Sequence, residues 1–77
     1  MIRTNALVQL TQSYCDWIES MPNVSPTIKS YVAERRFFYL GIVPNMSNIC
    51  LLASFNGYIV NCIGYNDIEE IILPTTN

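Results

Sequence analysis

The sequence predicts an α+β domain in which two N-terminal helices pack on a small antiparallel sheet of three or four strands. Apolar residues recur at helical spacing in the first third of the chain, and Ser25-Pro26 is a helix start signal. Further on, Asn56-Gly57 separates two runs of β-forming residues. With 77 residues the chain has room for one core, so residues 1–77 are predicted to form a single domain.

The first helix is predicted over residues 5–20. Its apolar stripe consists of Leu7, Leu10, Tyr14, Trp17 and Met21. The opposite side of the same helix is polar. Thr4 or Asn5 can cap its start, and Pro22 ends it.

The second helix is predicted over residues 26–35, with Ser25 as its N-cap and Pro26 at its first position. Residues 37–43 are rich in aromatic and β-branched side chains, which favours a strand. A helical alternative for this segment runs to Leu40 and takes Gly41 as its C-cap. We favour the strand.

Asn56-Gly57 predicts the central hairpin, with a two-residue loop of type I′ in which both residues take positive φ. Phe55 then faces Tyr58, and the pairs farther from the loop include Ala53 with Val60 and Cys50 with Ile63. Alternation sorts the side chains onto two faces. The predicted core face holds Ile49, Leu51, Ala53, Phe55, Tyr58, Val60 and Cys62. The second face holds Asn48, Cys50, Leu52, Ser54, Ile59, Asn61, Ile63 and Tyr65.

The second face is half apolar, which is unusual for the solvent side of a small antiparallel sheet. Its apolar members form a candidate protein interface. They are Cys50, Leu52, Ile59, Ile63 and Tyr65. A helix folded over this face is the alternative, and the two interpretations have equal support.

The C-terminal segment 68–73 is short, as strands commonly are, and we predict a last strand there. A single helical turn capped by Asn66, with Glu69 three residues on, is the alternative. Residues 74–77 are predicted to be a loose tail.

Composition points to a partner. Apolar residues make up 51% of the chain and charged residues 13%, which is more apolar surface than a small core can bury. The longest apolar run, 37–43, is too short to span a membrane. We therefore expect a protein partner, with a homodimer as the simplest case. Residues 1–5 lack the pattern of a secretory signal, which predicts a cytoplasmic protein.

Little in the sequence suggests catalysis. The chain has no histidine, the commonest general base and metal ligand, and its three cysteines lack metal-site spacing. No glycine-rich loop opens a helix to hold phosphate. We predict a protein that is not an enzyme and that binds no metal or cofactor.

Two further groups of residues are candidate contacts. Arg35, Arg36 and Tyr39 combine the residue types that dominate protein hot spots. Arginine beside stackable rings also suits single-stranded nucleic acid, although a net charge of −2 argues against that partner. Asp16 and Glu19 form an acidic face beside Trp17 that would suit a basic surface.

These observations favour a small protein-binding module that self-associates or docks on another protein. Its size and its lack of chemistry would fit a phage or mobile-element inhibitor of a host defence protein. An accessory subunit of a larger assembly is the alternative. A weak nucleic-acid binder that uses Arg35, Arg36 and the adjacent aromatic rings is the third hypothesis.

Overall fold

The computed structural model describes residues 1–72 and shows two helices with a five-stranded antiparallel sheet. The strands are Leu7–Leu10 (β1), Arg36–Ile42 (β2), Ile49–Ala53 (β3), Ile59–Gly64 (β4) and Ile68–Glu70 (β5). The helices are Gln12–Glu19 (α1) and Pro26–Glu34 (α2), and a 3-10 turn covers Tyr65–Asp67. The α+β class is confirmed, but the sheet is larger than predicted and a strand precedes the helices. The predicted tail 74–77 lies outside the described residues.

Strand β1 occupies the first half of the segment predicted as helix 5–20. Val8 and Leu10 are fully buried while Leu7 and Gln9 are only partly so, which is the alternation of a strand. The helix begins after Thr11, whose hydroxyl accepts a hydrogen bond from the Tyr14 N–H at 3.2 Å. The prediction of one long helix is wrong because apolar positions 7, 10 and 14 fit helical spacing by coincidence.

Helix α2 and strand β2 lie within a residue or two of where the sequence placed them. The Ser25 hydroxyl accepts from the Ile28 N–H at 3.3 Å, and Pro26 opens the helix. Arg35 ends it with a φ of 64°, and β2 begins at the next residue. The strand interpretation of residues 37–43 is therefore confirmed over the helical one.

The loop between β3 and β4 has three residues, Phe55, Asn56 and Gly57, so the predicted two-residue loop is wrong. Gly57 has a φ of 93°, whereas Asn56 is not among the residues with positive φ. The Gly57 N–H donates to the Ser54 carbonyl at 3.0 Å, and the Ser54 N–H donates to the Tyr58 carbonyl at 2.8 Å. This is the hairpin in which a turn is followed by one residue of positive φ.

The extra loop residue shifts the register of the hairpin by one. Ala53 pairs with Ile59 and Leu52 with Val60, instead of Ala53 with Val60. A shift of one residue exchanges the two faces of a strand. Leu52 therefore shares its side with Val60, and both are buried, so the side of β3 that holds Cys50 and Leu52 lies inside and the side predicted to be the core face lies outside.

A β-bulge in β4 then restores the predicted register. Between the pairs Leu52–Val60 and Cys50–Ile63, β4 has one residue more than β3. Val60 and Ile63 consequently both face inward although they are three positions apart, and both are buried. A second bulge lies in β2, between Tyr39 and Gly41. Bulges increase the local twist of a sheet, and these two both lie beside Leu51.

The sheet is strongly curled. Its strand order is β4-β3-β2-β1-β5, which puts β4 and β5 at opposite edges. A flat sheet would separate those edges by about 19 Å, whereas the four peptide steps from Gly64 to Ile68 span at most about 14 Å. The edges must therefore approach each other, and the concave side of the sheet encloses the core.

The core combines the concave side of the sheet with one side of α1. Its buried apolar residues are Val8, Leu10, Tyr14, Cys15, Ile18, Phe37, Tyr39, Cys50, Leu52, Val60, Ile63 and Ile68. Helix α2 has no fully buried residue and packs at the edge of this core through Ile28, Tyr31 and Val32. Trp17, predicted to be in the apolar stripe of the first helix, is 55% exposed.

The Glu34 carboxylate ties the end of α2 to the β3–β4 loop. It accepts hydrogen bonds from the hydroxyls of Ser54 and Tyr58, and the rings of Tyr58 and Tyr31 are stacked with centroids 6.1 Å apart. The Ser54 hydroxyl also accepts from the Asn56 N–H at 3.0 Å. This cluster satisfies Ser54, the only buried polar residue among those described.

The segment after β4 forms a 3-10 turn and then the short strand β5. Leu10 pairs with Ile68 and Val8 with Glu70, so the last strand lies beside the first. The Thr11 N–H donates to the Asp67 carbonyl at 2.9 Å and fixes the start of β5. Of the strand predicted over 68–73, the structure has Ile68–Glu70 and no strand at 71–72, while residue 73 lies outside the described residues.

We expect Gly57→Ala to lower the free energy of unfolding by about 1–2 kcal/mol, since a Cβ disfavours positive φ. Apart from residues 56–58, no atom lies within 4 Å of that Cβ, so the loss of free energy reports the backbone conformation and not a clash. The matched control is Asn56→Ala, which should change the free energy by about 0.5 kcal/mol or less. Urea denaturation measures both, and equal losses would contradict the three-residue loop.

Candidate protein interface

An apolar surface lies on part of the convex side of the sheet, and we call it the Phe38 face. It consists of Leu7, Phe38, Ala53, Phe55 and Ile59. Leu7 pairs with Phe38, Phe38 with Ala53, and Ala53 with Ile59, so these four form one row across four strands. A row of paired residues lies on one side of a sheet.

Phe55 enlarges this row at the β3–β4 loop. Its ring stacks on that of Phe38, with centroids 4.7 Å apart and planes 12° from parallel. Phe55 is 58% exposed, Ile59 54% and Phe38 38%. Singly scattered apolar residues are normal on protein surfaces, but a contiguous set that includes a stacked aromatic pair is typical of an interaction site.

Polar residues border the Phe38 face on the side of the α2–β2 junction. Arg36 is exposed two residues before Phe38 on β2, and it pairs with Gln9 of β1. The Gln9 side-chain amide donates to the Glu69 carboxylate of β5 at 2.7 Å. A cation and a carboxylate thus lie on one row beside the apolar one, which is the arrangement of a polar rim around an apolar centre.

The predicted interface is divided by the curl of the sheet. Cys50, Leu52 and Ile63 are completely buried, which leaves them no surface to offer a partner. Their face is internal, because it forms the concave side of the sheet together with buried residues of the neighbouring strands such as Tyr39 and Val60. Ile59 alone of the five reaches the Phe38 face.

Tyr65 lies elsewhere, in the wall of an open groove at the end of the sheet. The groove has a volume of about 630 Å³ and is lined in part by Met1, Ile2, Tyr39 and Ile42. The Tyr65 hydroxyl accepts from the Ile2 N–H at 3.0 Å, and its ring meets that of Tyr39 edge to face at 5.9 Å. Tyr65 therefore holds the N-terminal segment against the sheet.

The predicted hot spot of Arg35, Arg36 and Tyr39 is also divided. Tyr39 is buried in the core. The Arg35 side chain donates through Nε to the Leu10 carbonyl at 3.1 Å, and the Leu10 N–H donates to the Arg35 carbonyl at 2.9 Å. Arg35 thus joins α2 to β1, and of the three only Arg36 adjoins the Phe38 face.

The acidic pair Asp16 and Glu19 lies exposed on α1, beside the exposed Trp17. The Gln12 side-chain amide donates to the Asp16 carboxylate at 2.8 Å. The Trp17 ring is 5.9 Å from that of Tyr14, at 57°. These residues form a second, smaller surface on a different part of the molecule.

Sequence reasoning missed Leu7, Phe38 and Phe55 as surface residues. The predicted hairpin has Phe55 and Ala53 on its core face because that face is the more apolar of the two, and the predicted helix over 5–20 has Leu7 in its apolar stripe. The one signal that could have identified the surface is the succession Arg36, Phe38, Leu40 at strand spacing. It begins with a charged residue and so points outward.

The three thiols and the Tyr58 hydroxyl have raised pKa values. Burial raises the pKa of the Cys50 thiol to about 11, and the Asp67 carboxylate adds to the rise. Burial also raises the pKa values of Cys15 and Cys62. The hydrogen bond to Glu34 raises the pKa of the Tyr58 hydroxyl. Thiols of raised pKa are poor nucleophiles at neutral pH.

Within residues 1–72, no three acidic or cysteine side chains come together as metal ligands would. Neither helix in that range is long and apolar enough to cross a bilayer. Comparison of the chain with protein-family models, with characterised proteins and with solved structures gave no significant match.

The free energy of unfolding is expected to fall as the pH rises from 9 to about 11, because buried Cys50 keeps its proton there while the thiol of the unfolded chain loses it. Cys50→Ala should flatten this fall, as seen in urea denaturation across that pH range. Cys62→Ala, at an exposed thiol, is the matched control and should flatten it less. Identical pH profiles for wild type and Cys50→Ala would contradict the assignment.

Proposed function

We propose that this chain is a non-catalytic protein-binding module that acts through the Phe38 face. The observation that carries the proposal is the row of paired apolar residues across four strands, extended by the exposed stack of Phe38 and Phe55. Aromatic residues with a nearby arginine lead the lists of interface hot spots. Here Arg36 occupies the rim of an aromatic centre.

Physical chemistry supports a protein as the partner. Exposure of Phe55 and Ile59 to water is unfavourable, at about 25 cal/mol for each Å² of apolar surface, and a partner that covers them regains that free energy. The face is apolar at its centre and mixed in charge at its border, so a complementary partner is apolar with a polar rim. A surface of this kind can occupy a site on another protein without any reaction, as an inhibitor of a host protein would.

An accessory subunit of a larger assembly would use the same face. The subunit and the inhibitor differ in how long the complex with the partner lasts. A subunit would copurify in fixed stoichiometry and resist dilution, since permanent interfaces are larger and more apolar than transient ones. An inhibitor would bind its target reversibly, so its complex would dissociate on dilution. Size-exclusion chromatography of the complex at falling concentration distinguishes them.

The test of the Phe38 face is Phe38→Thr, which removes the aromatic ring and puts in its place a β-branched residue suited to a strand. Wild type immobilised as bait should capture a partner from the cells that naturally make the chain. Once that partner is identified, Phe38→Thr should weaken its binding by about 30-fold or more. Isothermal titration calorimetry measures the loss, and circular dichroism checks that the variant is folded.

Two further variants make that result specific. Phe55→Ser lies on the same face and should also weaken binding. Trp17→Ser removes an exposed aromatic residue from α1 and should leave binding unchanged. If Trp17→Ser or Asp16→Asn abolishes binding while Phe38→Thr does not, the contact surface is the acidic face of α1 and the proposal is wrong.

A second candidate function is binding of single-stranded nucleic acid, which the position of Arg36 beside Phe38 and Phe55 favours. Fluorescence anisotropy with a labelled oligonucleotide should then show affinity that falls as salt rises. Arg36→Gln should reduce the slope of log affinity against log salt by about 0.7, the contribution of one phosphate contact. An absence of binding at low salt, or binding independent of salt, would exclude this function.

A further inference from the structure

The two edges of the sheet differ in their protection against pairing with another strand. Strand β5 has three residues and carries Glu69 and Glu70. Glu70 pairs with the buried Val8 and so lies on the core side of the sheet, although it is exposed. Short edge strands and inward-pointing charges are devices by which proteins prevent edge pairing. The β5 edge is thus protected.

The β4 edge has neither of these two devices, although the bulge between Val60 and Ile63 interrupts it. Its six residues, Ile59–Gly64, include no charged residue and no proline. Ile59, Asn61 and Cys62 are exposed, and β4 pairs only with β3 among the described strands. The part of the edge before the bulge, at Ile59 and Val60, is uncharged and apolar and is a template for strand addition.

The hydrogen-bonding groups of Ile59 are available at this edge. The Ser54 N–H donates to the Tyr58 carbonyl, so Ser54 and Tyr58 form a hydrogen-bonded pair. Such pairs alternate with non-hydrogen-bonded ones, and the next pair is Ala53 with Ile59. The N–H and C=O of Ile59 therefore point away from β3 toward the free edge.

We propose that β4 pairs antiparallel with β4 of a second copy of the chain, about a two-fold axis. The proposal rests on the proposed function, because Ile59 belongs to both the edge and the Phe38 face. Pairing would join the Phe38 faces of the two copies into one apolar surface twice as long. The dimer, and not the single chain, would then be the form that meets a larger partner.

Charge favours a second copy, and this arrangement of it, as the occupant. Ile59 and Asn61 of β4 are uncharged, so two copies of this strand can lie side by side with no like charges opposite each other. Pairing of β4 with β5 of another copy would bring Glu69 and Glu70 onto that apolar edge and would continue into a filament. Pairing of β4 with β4 keeps the acidic edges apart and closes as a dimer.

The experiment compares Ile59→Pro with Ile59→Thr by sedimentation velocity from about 10 μM to about 1 mM, a range that suits an interface smaller than the standard size. Wild type should dimerise as concentration rises. Proline at position 59 has no N–H and so removes the donor that points to the free edge. No hydrogen bond to β3 is lost, because the Ile59 N–H points away from β3. Ile59→Pro should raise the dimer Kd at least about tenfold, whereas Ile59→Thr keeps the N–H and should raise it less.

Hydrogen exchange gives a readout at the atom concerned. The Ile59 amide should exchange more slowly as wild-type concentration rises, since dimerisation engages it. Circular dichroism checks the fold of Ile59→Pro. If that variant is unfolded, Asn61→Lys replaces it, because a lysine at the edge opposes strand pairing while leaving β4 intact. The same loss of dimer is expected.

Several outcomes would overturn the β4 pairing. One is a wild-type monomer throughout the concentration range, and another is a dimer that survives both folded Ile59→Pro and Asn61→Lys. A dimer lost in Phe38→Thr but retained in Ile59→Pro would be face to face, which contradicts the edge and supports the proposed function. Protection of the Ile59 amide only by an added apolar peptide would make the occupant another protein.

One further result would support the β4 pairing and contradict the proposed function of the Phe38 face. If Ile59→Pro abolishes the dimer while Phe38→Thr leaves both the dimer and partner capture unchanged, β4 pairing stands and the function proposed for the Phe38 face fails.

Discussion

The short connection from β4 to β5 is the constraint on which the rest of the fold depends. Only Tyr65–Asp67 separates two strands at opposite edges of the sheet, so the sheet has to curl until the edges approach. Curling makes one side of the sheet concave and the other convex. The concave side becomes a core that needs only α1 to complete it, and the convex side keeps its apolar residues in contact with water.

The elements that sequence reasoning predicts correctly are those with local signals. Helix α2 has a serine cap and an N-terminal proline, and β2 has a run of aromatic and β-branched residues, so both are found within a residue or two. Strand β1 lacks such a signal. Its four residues acquire their strand geometry from β2 and β5, which lie far away in sequence, and tertiary pairing of this kind overrides local spacing.

The candidate site depends on a finer feature, the side of β3 that faces the core. The pairing of Leu52 with the buried residues Tyr39 and Val60 decides it. A single loop residue shifts the pairing with β4 by one, because Asn-Gly suits a two-residue loop while Gly57 alone satisfies a three-residue one. The bulge at the middle of β4 then reverses the shift. Neither the third loop residue nor the bulge can be predicted from the alternation of apolar residues, since β3 is apolar on both sides. The Phe38 face could therefore be identified only from the structure, although its residue types could be read from the sequence.

The pairing of β1 with β5 has a consequence for how the molecule is made. Leu10 pairs with Ile68, so β1 cannot complete its pairing until β5 has been synthesised. During synthesis, the apolar residues of β1, β2 and β3 emerge before the strand that completes the sheet. Contacts between residues so distant in sequence slow folding, and incomplete sheets expose edges that aggregate. Newly made chains should thus depend on a chaperone, or on rapid release from the ribosome, more than their small size suggests.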